Sequence, residues 1–369
     1  MVSVAFTGDI SFSKYFSGAY KRDFIAEEVK SFLKSSDHVI ANVECPVTGG
    51  DIKSDRLLNH VTPPEAVPRL LECGATVWTL ANNHIMDCEA AGMEETLRTA
   101  ERFGCTTIGA GKNLREAVKP IYFEGAGGIG VFAVTYERAR FLGATAETAG
   151  CVLMDEIDLI RETIAEIKSK CRWCVMVCHG GGEFSQLPLP YFRKRYLQYL
   201  DLGADIIVGH HPHVTENYEK IGEKTIFYSL GNFIFDTDYQ RAQRFTDRGV
   251  LLKLQFEENA YFFDALGIAI DRETQSIEAA ELPAIFHNVP AKQYDLLWPL
   301  GVWDFLQNEK ASRLNLHPDW TDKDAAFWRQ NVKEHYCECP KDFDLGRIHY
   351  RLGYWRLGDK VVKDYILGK

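Results

Sequence analysis

The chain has 369 residues, of which 46% are hydrophobic and 12% aromatic, enough apolar material for one large folded domain or two smaller ones. Its formal net charge of −10 argues against nucleic acid or an anionic membrane surface as the main partner, because phosphate binding normally needs a basic face. No apolar run is long enough to span a bilayer, and the first residues lack the pattern of an export signal. We therefore expect a cytoplasmic protein without a membrane segment.

The first two predicted strands each end in a carboxylate. Residues 2–7 form an apolar run that ends at Gly8-Asp9, and residues 38–41 form a second that ends in Asn42-Val43-Glu44. A turn or helix cap explains Asp9 equally well when that residue is considered alone. The following stretch, 49–62, is polar and contains two adjacent glycines, which predicts an exposed loop near these strand ends.

A third strand, predicted at 75–80, is followed by Asn82-Asn83-His84 and then by Asp87. Asparagine is rare in protein cores, so two asparagines beside a histidine and an aspartate favour a functional loop. A network of Asx-turns is the structural alternative.

Two later strands deliver histidines. The apolar run 173–178 leads into His179 and then Glu183, and the run 205–208 leads into Gly209-His210-His211-Pro212-His213. A lone histidine is usually a hydrogen-bonded core residue, but three imidazoles within four residues at a strand end favour a metal site. Which two of the three would bind is open, because His210 directly follows the glycine whereas His211-x-His213 has the better ligand spacing.

The remaining elements complete an α/β pattern. Residues 120–135 and 214–230 predict hairpins, Gly231-Asn232 connects two strands, and 249–270 alternate as in an antiparallel sheet. The character of the chain changes after about residue 288. Residues 289–369 hold five of the seven tryptophans at helix-like spacing, which predicts an aromatic-rich helical appendage that covers the core and shapes substrate access.

Carboxylate, amide and imidazole groups at successive strand ends suit a pair of divalent ions such as Mn, Fe or Zn better than a thiolate zinc site. Such a pair is typical of two-metal hydrolases.

The order of these motifs, from Gly8-Asp9 to Ser229-Leu230-Gly231-Asn232-Phe233, resembles the CapA family of capsule and poly-γ-glutamate synthesis proteins. That family is similar to calcineurin-like metallophosphoesterases, and the motifs cover roughly residues 2–240. The resemblance implies a four-layer αββα sandwich over residues 1–288, with the appendage at 289–369 outside it.

The resemblance also implies roles for single residues. Asp9 and His213 would hold the first ion, Asn83, His179 and His211 the second, and Glu44 would bridge them. His84 would be catalytic and oriented by Asp87, while Asn82, Glu183, His210 and Asn232 would contact substrate. Ser11 stands where metallophosphoesterases usually have a histidine ligand, and Glu44 replaces a shorter aspartate, so the first site is expected to bind its ion weakly.

The function implied is a metal-dependent hydrolase that acts on a phosphoester or on an amide bond of a polymer such as poly-γ-glutamate. The alternative is a non-catalytic accessory protein that keeps the fold, binds an anionic polymer and works with biosynthetic partner proteins.

Overall fold

The structure is a computed structural model that describes residues 1–49, 59–136, 142–295 and 297–298. In these ranges the strands are β1 (Val2–Ile10), β2 (His38–Val43), β3 (Val77–Thr79), β4 (Thr106–Ile108), β5 (Ala110–Gly111), β6 (Ile121–Phe123), β7 (Ile129–Thr135), β8 (Gly150–Cys151), β9 (Trp173–His179), β10 (Ile206–His210), β11 (Tyr218–Ile221), β12 (Lys224–Phe227), β13 (Asn232–Ile234), β14 (Arg248–Phe256), β15 (Tyr261–Asp271) and β16 (Ser276–Ala280). The α-helices are α1 (Glu27–Lys34), α2 (Val67–Glu72), α3 (Glu89–Arg102), α4 (Leu114–Ala117), α5 (Ile157–Lys170), α6 (Pro190–Leu202) and α7 (Asp238–Arg241). Short 3₁₀ helices lie at Lys14–Phe16, Ala19–Lys21 and Pro64–Ala66. None of the helices described is both long and apolar enough to cross a bilayer.

The first sheet has the strand order β16-β15-β14-β1-β2-β3-β4, and β13 pairs with the carboxyl end of β1. Strands β1 to β4 run parallel, whereas β14, β15 and β16 are antiparallel to their neighbours. At the end of β1, Asp9 pairs with Asn42 of β2 and with Asn232 of β13. The pairing therefore places three predicted motifs at one edge of this sheet.

The second sheet has the strand order β11-β12-β10-β9-β7-β6. Its central strands β7, β9, β10 and β12 are parallel, and β6 and β11 close the two sides as antiparallel hairpin partners. His179 at the end of β9 pairs with His210 at the end of β10. The histidine motifs are thus neighbours on adjacent strands.

The two sheets pack face to face because alternate residues of each strand point to opposite sides. Val4 and Phe6 of β1 meet Val175 and Val177 of β9 in the core between the sheets. The intervening Ala5 packs instead with the helical layer formed by α1, α2 and α3. On the second sheet, the alternate β9 residues Cys174, Met176 and Cys178 pack against α5 and α6. The predicted four-layer αββα sandwich is confirmed.

The predicted exposed loop at 49–62 is wrong for its last residues. Residues 50–58 lie outside the described part, but His60 and Thr62 are buried. The backbone explains this burial, since Thr62 donates its amide to the Pro46 carbonyl and accepts a hydrogen bond at its hydroxyl from the Phe12 amide. This segment therefore crosses the edge where the strands end.

Little of the predicted appendage is described. Residues 291–295 and 297–298 are helical and pack on the core, where the Tyr294 hydroxyl donates to the Pro188 carbonyl at 2.9 Å. Residues 296 and 299–369 lie outside the described residues, and the domain boundary at 288 stays a prediction. The eight described cysteines are all free thiols.

Candidate metal centre

The predicted ligands converge at the edge where β1 and β2 of one sheet face β9 and β10 of the other. The backbone amide of His211 donates to Asp9 Oδ2 at 3.3 Å, which joins the two sheets at this point. Five of the six predicted ligands are buried and the sixth, Asn83, is half-buried; the set is Asp9, Glu44, Asn83, His179, His211 and His213. The structure thus brings together residues that lie more than two hundred positions apart in the chain.

Two groups of potential ligands share one carboxylate. The Asp9 group consists of Asp9, Glu44 and His213, and the His179 group consists of Glu44, His179 and His211; the ligand atoms within each group all lie within 4.8 Å of one another. Glu44 Oε1 is 3.3 Å from His179 Nε2 and 3.6 Å from His213 Nε2. Glu44 therefore occupies the position between the two groups.

Glu44 has an unusual environment for a charged side chain. It is completely buried, and neither carboxylate oxygen accepts a hydrogen bond from any described residue. Burial raises the pKa of Glu44 well above 4.5, and the charges of Asp9, Glu183 and Asp87 add to the effect. A buried carboxylate in this state is costly unless a cation balances it. The donor set, with two carboxylates and three imidazoles, fits divalent cations.

Asn42 is a site residue that sequence reasoning did not single out, although it belongs to the Asn42-x-Glu44 motif. Its Nδ2 donates to Asp9 Oδ1 at 2.7 Å and lies 3.2 Å from His179 Nδ1. The sequence spacing of Asn42 and Glu44 could have indicated this role, because strand residues i and i+2 share a face. Asn42 orients one residue from each group.

The Asp9 group contains an ion pair. His213 Nδ1 lies 3.3 Å from Asp9 Oδ2. Burial opposes ionisation of Asp9, but the hydrogen bond and charge of His213 lower its pKa below the ordinary value. Burial likewise opposes protonation of His213, but the hydrogen bond to Asp9 raises the His213 pKa. In contrast, burial and then the charges of neighbouring histidines lower the pKa of His179 well below 6.5.

The three clustered histidines have different positions. His210 Nε2 donates to the carbonyl of Thr7 at 2.8 Å, so this ring ties the second sheet to β1. His211 and His213 instead belong to the two ligand groups. Both adopt left-handed backbone conformations, with φ of 97° and 58°, which are rare for residues other than glycine and often occur at functional sites.

His84 lies beside the ligands and is held by two side chains. Its Nδ1 is 2.7 Å from Asp87 Oδ2, and its backbone amide donates to Asn82 Oδ1 at 3.1 Å. The Asn82 Nδ2 donates to the Val43 carbonyl at 2.8 Å, which fixes the loop to the end of β2. Both polar atoms of Asn82 therefore contact backbone, and its predicted contact with substrate stays a prediction.

Asn232 and Glu183 also border the centre. Asn232 Oδ1 is 3.0 Å from His213 Nδ1, and its Nδ2 donates to Gln240 Oε1 and to the Thr246 carbonyl, so it orients a candidate ligand. Glu183 accepts a hydrogen bond from the Tyr239 hydroxyl at 2.8 Å. The substrate-binding roles predicted for Asn232, Glu183 and His210 are not tested by these contacts.

Ser11, which replaces the usual histidine, contacts other hydroxyl groups. It is buried, its Oγ donates to Ser13 Oγ at 2.9 Å, and Ser13 in turn donates to the Val61 carbonyl. Because a serine stands here in place of a histidine, the Asp9 group contains one imidazole fewer than the resemblance implies for a complete site.

His60 also borders the centre, but the sequence pattern does not indicate it. It lies in the polar stretch 49–62, which is predicted to be exposed and has no strand directly before this residue. Its ring is buried, with a centroid 4.4 Å from that of His84 and 5.0 Å from that of Phe235. Burial, followed by the charges of His84 and His213, lowers the pKa of His60 well below 6.5.

The family model for the bacterial capsule synthesis protein PGA_cap matches residues 3–237. The chain belongs to this family. The matched residues include every predicted ligand and end shortly after the Asn232 motif, so the resemblance drawn from the motif order is confirmed.

Two curated relatives carry the name CapA. The capsule biosynthesis protein CapA of Bacillus anthracis is 32% identical over 255 residues, which are 66% of this chain and 62% of that protein. The PGA biosynthesis protein CapA of Bacillus subtilis is 33% identical over 250 residues, 66% of each chain. This chain therefore spans a little under two thirds of the length of these relatives.

Among solved structures, a putative 5'-nucleotidase from Staphylococcus aureus is similar over 76% of this chain and 53% of that chain, with 13% identity and a TM-score of 0.42. The assignment of the fold rests on the layers described above and not on this score.

Proposed function

We propose that this PGA_cap family member is a divalent-metal-dependent hydrolase of capsule or poly-γ-glutamate synthesis. The observation that carries the proposal is Glu44, a fully buried carboxylate that accepts no hydrogen bond from the described residues and is shared by two ligand groups. A cation on each side would balance this charge, and a shared carboxylate is what a two-ion site needs.

In this proposal Asp9, Glu44 and His213 would hold one ion, and Glu44, Asn83, His179 and His211 the other. Bound divalent cations polarise a phosphoryl or carbonyl oxygen and lower the pKa of water. Asn42 and Asn232 orient the ligands. His84, fixed by Asp87, would donate a proton to the leaving oxygen or nitrogen.

The substrate class that we propose is a phosphoester or the amide bond of an anionic polymer such as poly-γ-glutamate. The names of the two Bacillus relatives support a role in capsule or PGA synthesis. Partner proteins of the same synthesis belong to this proposal.

Elemental analysis of the purified protein, followed by Mn²⁺ titration and assays with p-nitrophenyl phosphate, bis(p-nitrophenyl) phosphate and poly-γ-glutamate, tests the proposal. We expect about two equivalents of metal at saturation and hydrolysis of at least one substrate that a chelator abolishes. A protein that binds no Mn²⁺ would contradict the metal centre.

A second function is favoured by Ser11. Because its hydroxyl bonds to Ser13, the Asp9 group has three candidate side chains, and a protein with an incomplete centre would serve as an accessory protein that binds an anionic polymer. Metal binding at a single group, together with polymer binding and no hydrolysis, would favour this accessory role.

A further inference from the structure

His60 packs directly against the proposed catalytic histidine. The His60 and His84 rings meet edge to face, with centroids 4.4 Å apart and planes at 79°. On its other side the His60 ring contacts Phe235 at 5.0 Å, and Phe235 itself packs at 4.6 Å from the ring of His213. His60 therefore fills the space between the candidate acid and an aromatic residue that contacts a ligand.

The backbone of His60 reaches the same carboxylate as His84. Asp87 Oδ2 accepts one hydrogen bond from the His60 amide at 2.8 Å and lies 2.7 Å from His84 Nδ1. Asp87 thereby links the His60 segment to the His84 ring. With Asn82 holding the His84 amide, the backbone and ring of His84 are restrained from separate directions.

The His60 side chain contacts His84 and Phe235 through the faces and edges of the rings. Its Nδ1 is buried and has no partner among the described residues. A buried nitrogen without a partner costs about 1–3 kcal/mol, so the polarity of this side chain does not stabilise the fold. What the ring contributes at this position is its edge-to-face contact with His84.

We propose that His60 is a positioning residue that fixes the orientation of the His84 ring through this contact. Removing the ring leaves space beside His84, and the Asp87 bond alone allows the imidazole to pivot about its Nδ1. The effect on turnover rests on the proposed hydrolase function, whereas the effect on the His84 ring does not.

The experiment compares His60→Ala with His60→Phe, which keeps an aromatic ring, in the full chain loaded with Mg²⁺ for NMR and with Mn²⁺ for kinetics. His38→Ala is the matched control, because His38 stacks on Phe123 at 3.9 Å but lies at the start of β2, away from the centre. The readouts are the ¹⁵N side-chain signals of His84, the metal content, and kcat and KM for bis(p-nitrophenyl) phosphate.

In His60→Ala we expect shifted or broadened His84 signals and a kcat lowered about 10- to 100-fold, because small misplacement of a reacting group has effects of this size. KM and metal content should stay within about two-fold of the wild type, since ligand geometry is unchanged. His60→Phe should recover most of the loss, and His38→Ala should match the wild type.

Unchanged His84 signals in His60→Ala, or equal loss of kcat in the alanine and phenylalanine variants, would overturn the proposal. If the alanine variant does not fold, His60→Gln repeats the test, because glutamine also lacks a ring. If the wild type hydrolyses none of the substrates but the His84 signals still change, the proposed function fails and the positioning role stands.

Discussion

The two ligand groups of the centre differ in how ready they are to bind a cation. In the Asp9 group, the carboxylate contacts His213 and raises its pKa, so at any pH where His213 is protonated a cation must displace that proton. In the His179 group, burial and neighbouring histidines lower the pKa of His179, so its imidazole is already neutral. The His179 group also has Asn83, whose Oδ1 lies 2.7 Å from His179 Nε2.

The replacement of the usual histidine by Ser11 also makes the Asp9 group the weaker candidate for cation binding. Both features would weaken cation binding by the Asp9 group and would not affect the His179 group. If the centre binds two ions as proposed, we expect it to hold one tightly and to exchange the other.

Glu44→Gln should have the largest effect because it removes the negative charge from both groups while keeping the shape of the side chain. We expect Mn²⁺ binding and hydrolysis to be lost, as measured by elemental analysis and the assays above. Without metal, the variant should be more stable than the wild type at about pH 8, by about 1–3 kcal/mol, since the buried carboxylate lacks hydrogen bonds.

The direction of this stability difference follows from the pKa of Glu44. This pKa is raised in the folded state, so folding gains stability from protonation at low pH and loses it as pH rises from about 4.5 towards the raised value. Urea unfolding with a chelator present should therefore show no difference between the two proteins at about pH 4. Retention of two ions by the variant would show that Glu44 is not shared.

His179→Ala and His213→Ala are a matched pair, one from each group. We expect His179→Ala to lose the tightly bound ion and all hydrolysis, and His213→Ala to lose only the weaker ion. Each variant should lose more Mn²⁺ affinity at its own group than the factor of about 10 to 100 that is typical when a residue that only orients a ligand is replaced. Calorimetric titration with Mn²⁺ measures the affinities of both variants. A larger loss of affinity in His213→Ala than in His179→Ala would show that the Asp9 group is the tighter site.

His84→Ala should leave both groups intact. We expect kcat to fall about 10²- to 10⁴-fold, the usual contribution of a general acid or base, while metal content stays at the wild-type level. Equal metal loss in His84→Ala and His179→Ala would show that His84 is a ligand and not the acid.

The pH dependence of binding should separate the groups without any substitution. Affinity at the Asp9 group should rise with pH until the raised pKa of His213 is passed, because its imidazole must lose a proton to bind a cation. Affinity at the His179 group should change less over the same range, because the lowered pKa keeps His179 neutral. Mn²⁺ titrations at a series of pH values measure this, and parallel curves for two ions would contradict it.

Ser11→Ala should have the smallest effect. It removes two buried hydrogen bonds with Ser13, each worth about 0.5–1.5 kcal/mol in the free energy of unfolding, and leaves metal content unchanged. Loss of one ion in this variant would show that the hydroxyl is a ligand, and that the Asp9 group is more complete than its sequence indicates.

The positions of the ligands were predictable because parallel strands end at a common edge. Asp9, Glu44 and His179 each follow an apolar run, and the structure places all three in the centre. The stacking of the two sheets could not be derived from the spacing of apolar residues. Buried residues alternate along a strand in the same way whether helices or a second sheet cover that face. That part of the fold came from the resemblance.

What the sequence did not reveal depends on tertiary contacts. His210 follows a strand just as His179 does, but its ring bonds to the Thr7 carbonyl of the other sheet, and only the packing of the sheets decides this. His60 lies in a segment without apolar periodicity, and its burial depends on hydrogen bonds to residues far away in the chain. Local patterns contain no information on either contact.

The amide of Asn42 has a consequence for the order in which the ions bind. It donates to Asp9 and lies against His179 Nδ1, while its own Oδ1 is buried without a partner among the described residues. A histidine that ligates through Nε2 carries its proton on Nδ1, which then needs an acceptor. Turning the Asn42 amide supplies that acceptor and withdraws the donor from Asp9 Oδ1. Occupation of the His179 group would then leave Asp9 Oδ1 without its donor, so we expect cation binding at the two groups to be coupled through the Asn42 side chain.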